Sequence, residues 1–271
     1  ANLAGIPGIL KTSLALSSPR SAEPPLIVTA LRVDLQAPGI SLTGSGRAPL
    51  WSDNGSETIS QTSRQFITAG RAAGLPLVAA INAAPFDLND QKQFEAVPTN
   101  LRGFVVSEGQ LLSGPDSNTD TFKSTFLLDA ITGARIEDIW ASNAPAASSL
   151  KVASSGFAMV LRDGLVQGDA ITQNARSALG LSADRRHLVL VTVDRQQAGI
   201  VPGNWFGATD QDMGLILRGL GARNGLLLDG GTSSQLAAWN PSLAQAELLN
   251  APQVERFVGS SLGVLYQPVG L

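Results

Sequence analysis

The sequence predicts an α+β fold: a single domain with a large mixed, mostly antiparallel β-sheet core and a few packed helices. Three observations lead there. Short apolar segments flank turn signals at Glu108-Gly109, Ala130–Gly133 and Asp163-Gly164, the pattern of successive hairpins. Wholly apolar runs at 77–81, 188–191 and 226–228 read as strands buried on both faces. Only two long stretches carry helical periodicity with a start and a stop, Ser60–Gly74 and the segment after Thr209.

Taken in order, residues 1–25 are rich in Gly, Pro and Ser and are expected to form an arm laid over the domain that spans 26–271. Leu26–Leu35 is the first strand, its second half alternating apolar and polar. Ser60–Gly74 follows as an amphipathic helix, with Phe66 and Ile67 inward and Gly74 as its stop. Leu77–Ile81 is a buried strand that runs into Asn82-Ala83-Ala84-Pro85-Phe86-Asp87, and the polar loop Asn89–Asn100 is long enough to wall a site. The three hairpins occupy Gly103–Gln167. Ala178–Leu181 and His187–Val193 are the next strands, the second ending in Asp194-Arg195. Thr209, with Asp212 three positions on, signals a capping box, and Gly221 ends that helix. Strand Leu226–Leu228 comes next, then a short helix over Gln235–Ala238, a loop over Asn240–Arg256 and a closing strand at Leu262–Tyr266. No internal repeat or linker divides the chain.

Composition narrows the function classes. At 271 residues, 44% hydrophobic and 15% charged, the chain can bury a large core. A net charge of −3 with interspersed signs gives no basic surface for nucleic acid or anionic membrane, and no apolar run reaches the roughly 18 residues of a membrane span. There is no cysteine, so disulfides, thiolate metal sites and thiol nucleophiles are all absent, and the single histidine, His187, cannot build a multi-histidine zinc site. The chain begins at Ala1 without Met or a secretory signal, as an exported protein does after signal removal, so a periplasmic or secreted location is expected.

The richest stretch is Asn224–Leu236. An apolar strand delivers Asp229 to its end. Gly230 and Gly231 allow positive φ or close approach, and Thr232, Ser233 and Ser234 supply hydroxyls. Such a junction can surround an oxyanion with N–H groups and hydroxyls beside one carboxylate, although an ordinary strand-to-helix loop is built the same way. No G-x-x-x-x-G-K-[ST] occurs, which excludes a nucleotide P-loop. Two other strand ends carry polar groups, Asn82 with Asp87, and Asp194. Arg176 adds a fork able to grip phosphate or carboxylate. Gly259-Ser260-Ser261-Leu262-Gly263 matches a nucleophile-elbow pattern but is a decoy, because the required acid and histidine would have to lie in the eight residues that follow.

These segments resemble the phosphodiester glycosidase family. Leu228-Asp229-Gly230-Gly231-Thr232-Ser233-Ser234 is similar to the family's Leu-Asp-Gly-Gly-Gly-Ser-Ser signature, and Ile81–Asp87 to its Ile-Asn-Gly-Gly-Phe-Phe segment. Arg176-Ser177-Ala178-Leu179-Gly180 resembles its Arg-Thr-Ala-Ile-Gly segment, and the Asp194 strand and Arg256 fall at matching places. The resemblance runs from about Leu26 to Tyr266. Two departures, Thr232 for a third glycine and Ala83-Ala84-Pro85 for Gly-Gly-Phe, imply a narrower or stiffer pocket.

The resemblance implies a hydrolase that cleaves a sugar-1-phosphodiester, acting on an exported or cell-envelope glycan. Asp229, Asp194, Arg176 and Asn82 are the implied catalytic set. One of the two aspartates would act as nucleophile or direct a water, with the other supporting an oxocarbenium-like centre, and Asn82 would bond a sugar hydroxyl or the water. Arg176 would also hold the phosphate, with Gly230, Gly231, Thr232, Ser233, Ser234, Asp87 and Arg256 as the implied substrate and phosphate binders. Trp205 or Trp239 would stack on the sugar, or serve the core. This reading needs no cofactor and assigns no metal ligand. Two alternatives stay open, a non-catalytic carbohydrate- or envelope-binding domain and a metal-assisted phosphodiesterase in which Asp194 and Asp229 share a divalent cation. The substrate is the one partner expected, without nucleic acid or membrane insertion, and the sequence points to no protein partner.

Overall fold

The computed structural model describes residues 2–18, 23–53, 55–87, 92–116, 121–195 and 206–268. Its largest sheet has seven strands in the order Ile9–Leu16, Leu26–Asp34, His187–Val193, Arg176–Leu181, Asn224–Leu227, Ala158–Arg162 and Leu165–Val166. A five-stranded sheet runs Gln245–Leu248, Leu236–Asn240, Leu77–Asn82, Ser261–Tyr266, Ile40–Gly44. A second five-stranded sheet gathers two of the hairpins around Leu150–Ser155. Every strand pair in these sheets is antiparallel, so the expected mixed sheet is not found.

The sheets share one core. Leu31, Leu179, Leu190 and Leu226 of the large sheet meet Leu42, Ile81, Leu236 and Val264 of the second and Phe126 and Val152 of the third. Two α-helices cover outer faces. Helix α1 (Ser63–Ala72) lays Phe66 and Ile67 on Leu77, Ala80 and Leu265. Helix α2 (Asp210–Gly219) lays Met213, Ile216 and Leu217 on Ala178, Val189 and Leu227. Both begin with a reciprocal cap: Thr209 with Asp212, as expected, and Thr62 with Gln65, which starts α1 three residues after the expected Ser60.

Three expectations are corrected. With 43% strand and two α-helices among the described residues, the fold is mostly β rather than α+β. The predicted helix at Gln235–Ala238 is extended, because Leu236, Ala237 and Ala238 pair with Ile81, Ala80 and Ala79. Cross-strand pairing overrides the helical preference of Ala, Leu and Gln. The adjoining loop likewise contains strand Gln245–Leu248. The amino-terminal arm is also more than a covering segment: Ile9–Leu16 pairs along its whole length with Leu26–Asp34, and Leu3 and Ile9 are core residues.

The Gly-Ser decoy has a packing explanation. A Cβ at Gly263 would come within 2.5 Å of Leu77 Cδ2 and 2.8 Å of Phe66 Cε1, so glycine lets α1 sit on the sheet. The segment is the strand Ser261–Tyr266, not an elbow.

Candidate active site

Strand Asn224–Leu227 ends in the heart of the molecule, and the turn after it is fixed from three sides. The Asp229 N–H donates to Ala83 O, and Gly231 N–H to Ala175 O at 2.8 Å. A single 3-10 turn spans Gly231–Ser233 before the chain enters strand Leu236–Asn240. Gly231 has φ +61°, a conformation that favours glycine.

Asn82 holds this turn from behind. It is fully buried; its Nδ2 donates to Asp229 O at 2.7 Å, and its Oδ1 accepts from Ser177 Oγ at 2.7 Å and Gln235 N–H at 3.0 Å. Asp194 does similar work one step further out. One of its oxygens accepts from Asn250 Nδ2 at 2.8 Å and the other from Ala251 N–H at 2.9 Å. Asn250 in turn binds Ser234 O and Leu236 N–H. Burial raises the Asp194 carboxyl above its ordinary pKa, opposed by those two donors.

The Asp229 side chain is 14% exposed, and only Oδ1 is bonded, to the Gly230 N–H at 3.0 Å. Oδ2 is shielded from solvent and makes no hydrogen bond. Arg256 Nη2 lies 3.8 Å from it. Arg256 donates Nε to Ser233 Oγ at 3.0 Å, its Nη2 also contacts that oxygen, and the guanidinium sits 5.6 Å from the centre of the Phe86 ring. Burial pushes the Asp229 pKa up to about 6, against the Ser233 hydroxyl, the Arg256 charge and the Gly230 N–H. A carboxyl poised near neutrality beside a buried cation suits acid–base or nucleophilic work. Beyond Phe86 lies a cavity of about 180 Å³ lined also by Asp87, Gln93 and Phe257.

On the other side of the turn stand Arg176, Asn174 and Arg195. Arg176 passes Gly230, with its Cδ 3.9 Å from where a Cβ there would sit. Its head donates to Ala208 O and Thr172 O and pairs with Asp210 at 3.0 Å.

Comparison with known proteins decides among the families such a site could serve. A sequence profile described as phosphodiester glycosidase matches residues 76–265, which takes in Asn82, Arg176, Asp229 and Arg256. The chain belongs to the phosphodiester glycosidase family.

Solved structures agree on the fold. The catalytic domain of zebrafish N-acetylglucosamine-1-phosphodiester α-N-acetylglucosaminidase, auto-inhibited by its pro-peptide, is 13% identical. The match covers 99% of this chain and 87% of that one, with a TM-score of 0.67. A hypothetical protein from Synechocystis is 17% identical with a TM-score of 0.60, covering 96% of this chain; the chain spans 62% of that protein. Comparison with curated proteins returns no match.

Within this family member, the expected site residues do not all gather at one point. Asp229, Ser233 and Arg256 converge. Asn82 and Asp194 sit beside them but have their polar atoms engaged inside the protein, so they position the turn instead of facing a substrate. The Gly230 and Gly231 N–H groups are likewise engaged, by Asp229 and Ala175, and do not form an anion hole. Thr232 is exposed, and Ser234 Oγ is buried without a partner. Asp87 lies at the rim beyond Phe86, paired with Arg102 at 2.6 Å and bonded by Asn100. Arg176 is close but neutralised by Asp210.

Trp239 is partly buried and packs against the cluster under α1, with Arg71 stacked 4.3 Å from its ring. Trp205 lies outside the described residues. Among those residues no group of three or more His, Asp or Glu could hold a metal. Both Asp194 oxygens accept hydrogen bonds from inside the protein.

Sequence reasoning missed Ser177, Gln235, Asn250 and Phe86 as parts of this machinery. Each is one or two positions from a motif residue or an expected strand end, or lies in a stretch read as featureless loop. Only their partners, 95 to 153 positions away for Ser177 and Gln235, reveal their role.

Proposed function

We propose that this chain is a hydrolase that breaks the bond between an anomeric carbon and the oxygen of a phosphodiester. The observation that carries the reading is the Asp229–Ser233–Arg256 cluster: a shielded carboxylate oxygen with no hydrogen bond, 3.8 Å from a buried guanidinium, on the family's signature turn. In the ionised form Asp229 attacks the anomeric carbon or directs a water to it. The C–O bond breaks, the electron pair leaves with the phosphate oxygen, and water supplies the hydroxyl of the released sugar and the proton taken up by the medium. Phosphate is a good leaving group, so no strong general acid is required. Arg256 offsets charge that develops as it departs.

Acting through one reactive carboxylate agrees with the internal engagement of Asp194. The zebrafish relative's name gives the substrate class to try first, an N-acetylglucosamine-1-phosphodiester. The test is turnover of a panel of sugar-1-phosphodiesters by the wild type and by Asp229→Asn. The reading requires turnover by the former and at least a hundredfold loss in the latter. No turnover across the panel, with sugar phosphodiesters still bound, would favour a binding domain. An exported location goes with this proposal, and fractionation of the producing cells with an antibody tests it.

A further inference from the structure

We infer that Arg195, the Asn174 amide and Thr232 form an anion subsite that holds the phosphate of the substrate on the open side of the signature turn, an assignment that rests on the hydrolase reading. The need for such a subsite follows from what the other cations do. Arg176 carries the charge of Asp210 at 3.0 Å and spends Nε and Nη2 on Ala208 O and Thr172 O. Arg256 is 9% exposed and committed to Ser233, Asp229 and the Phe86 ring. Neither leaves a free fork for a diester that approaches from solvent.

Arg195 is placed differently. Strand His187–Val193 ends just before it, and Asp194, pinned by Asn250 and Ala251, fixes the backbone there. Its Nη1 donates to Asn174 Oδ1 at 3.3 Å, and among the described residues it has no carboxylate within ion-pair reach. That bond, with a second from the Ala175 N–H at 2.9 Å, orients the Asn174 amide so that its Nδ2 lies 3.5 Å from the point where a Cβ on Gly231 would sit. The amide lies beside the turn with Nδ2 the nearer atom, Oδ1 being 3.9 Å from the same point.

Thr232, the next residue, is exposed, and neither its N–H nor its hydroxyl has a partner among the described residues. An amide donor, an N–H and a hydroxyl thus border one turn, with the Arg195 cation joined to them through Asn174, a donor set that matches a phosphate oxygen array. The alternative is that Arg195 merely braces the Asn174 loop.

The test uses the full chain as wild type, Arg195→Met, Arg195→Lys and Thr232→Gly. Binding of inorganic phosphate is followed by calorimetry and by its effect on thermal unfolding, and kcat/KM is measured for a sugar-1-phosphodiester and for the p-nitrophenyl glycoside of the same sugar. The subsite predicts that Arg195→Met weakens phosphate binding at least tenfold. It should also lower the diester-to-aryl-glycoside ratio of kcat/KM by about 10- to 100-fold, mainly through KM, with Lys restoring part of both and Thr232→Gly a smaller loss. Unaltered phosphate binding in a folded Arg195→Met protein, or equal losses on both substrates, would overturn it. If the wild type hydrolyses neither substrate but binds phosphate in an Arg195-dependent way, the hydrolase reading falls and the anion site stands.

Discussion

At the Asp229 side chain, chemistry and stability pull against each other. Its pKa of about 6 lies above the ordinary value of 3.8, so between those limits the folded state binds more protons than the unfolded one. The stabilising contribution is complete below about pH 4 and is lost as pH rises through 6, by about 3 kcal/mol, the Arg256 charge being already included in that shift. Asp229→Asn should therefore be more stable than wild type at pH 7 by about 1–3 kcal/mol in urea unfolding, and the gain should shrink towards zero below pH 4. Burial shifts Asp194 the same way, so part of the wild-type slope persists in the variant. Lower stability of Asp229→Asn at pH 7 would mean that the carboxylate is held for structure. Because the ionised form does the work, kcat/KM should climb through about pH 6 and level off above it; a fall over that range would recast Asp229 as a general acid. The sequence marked Asp229 well, since an acid followed by two glycines at a strand end is visible in one line. It could not separate Asp229 from Asp194: only the donors from Asn250 and Ala251, far along the chain, show that Asp194 is engaged inside the protein while one Asp229 oxygen is not.

Elements with local signals were readable, and those defined by distant partners were not. The Thr209–Asp212 capping box lies within four residues, and the strands of the three hairpins within a turn of one another, so their chemistry is written in short windows. Strand Leu236–Asn240 exists only because Leu77–Asn82 and Gln245–Leu248 flank it. Thr209→Ala should cost about 1 kcal/mol in chemical denaturation with little effect on turnover. Gly263→Ala should cost about 1–3 kcal/mol, because the new methyl meets Leu77 and Phe66 under α1. Asn82→Ala joins stability to function. It strips three hydrogen bonds from the turn, two of them buried, so a loss of about 2–4 kcal/mol and at least a tenfold fall in kcat are expected. Unchanged kcat in that variant would show that the turn keeps its shape without the amide.

Across the whole molecule, three antiparallel sheets close on one core, and the polar ends of strands from separate sheets meet where the Asp229 turn leaves the large sheet for the small one. No helix among the described residues is long and apolar enough to cross a membrane. The convergence of Asp229, Ser233 and Arg256, with Asn82 and Asp194 bracing them, is what the proposed hydrolase reading takes as its reactive centre. Incubation of the enzyme with a sugar-1-phosphodiester in heavy-oxygen water tests that claim most directly. The account predicts that the label appears in the released sugar; label found in the phosphate would contradict it.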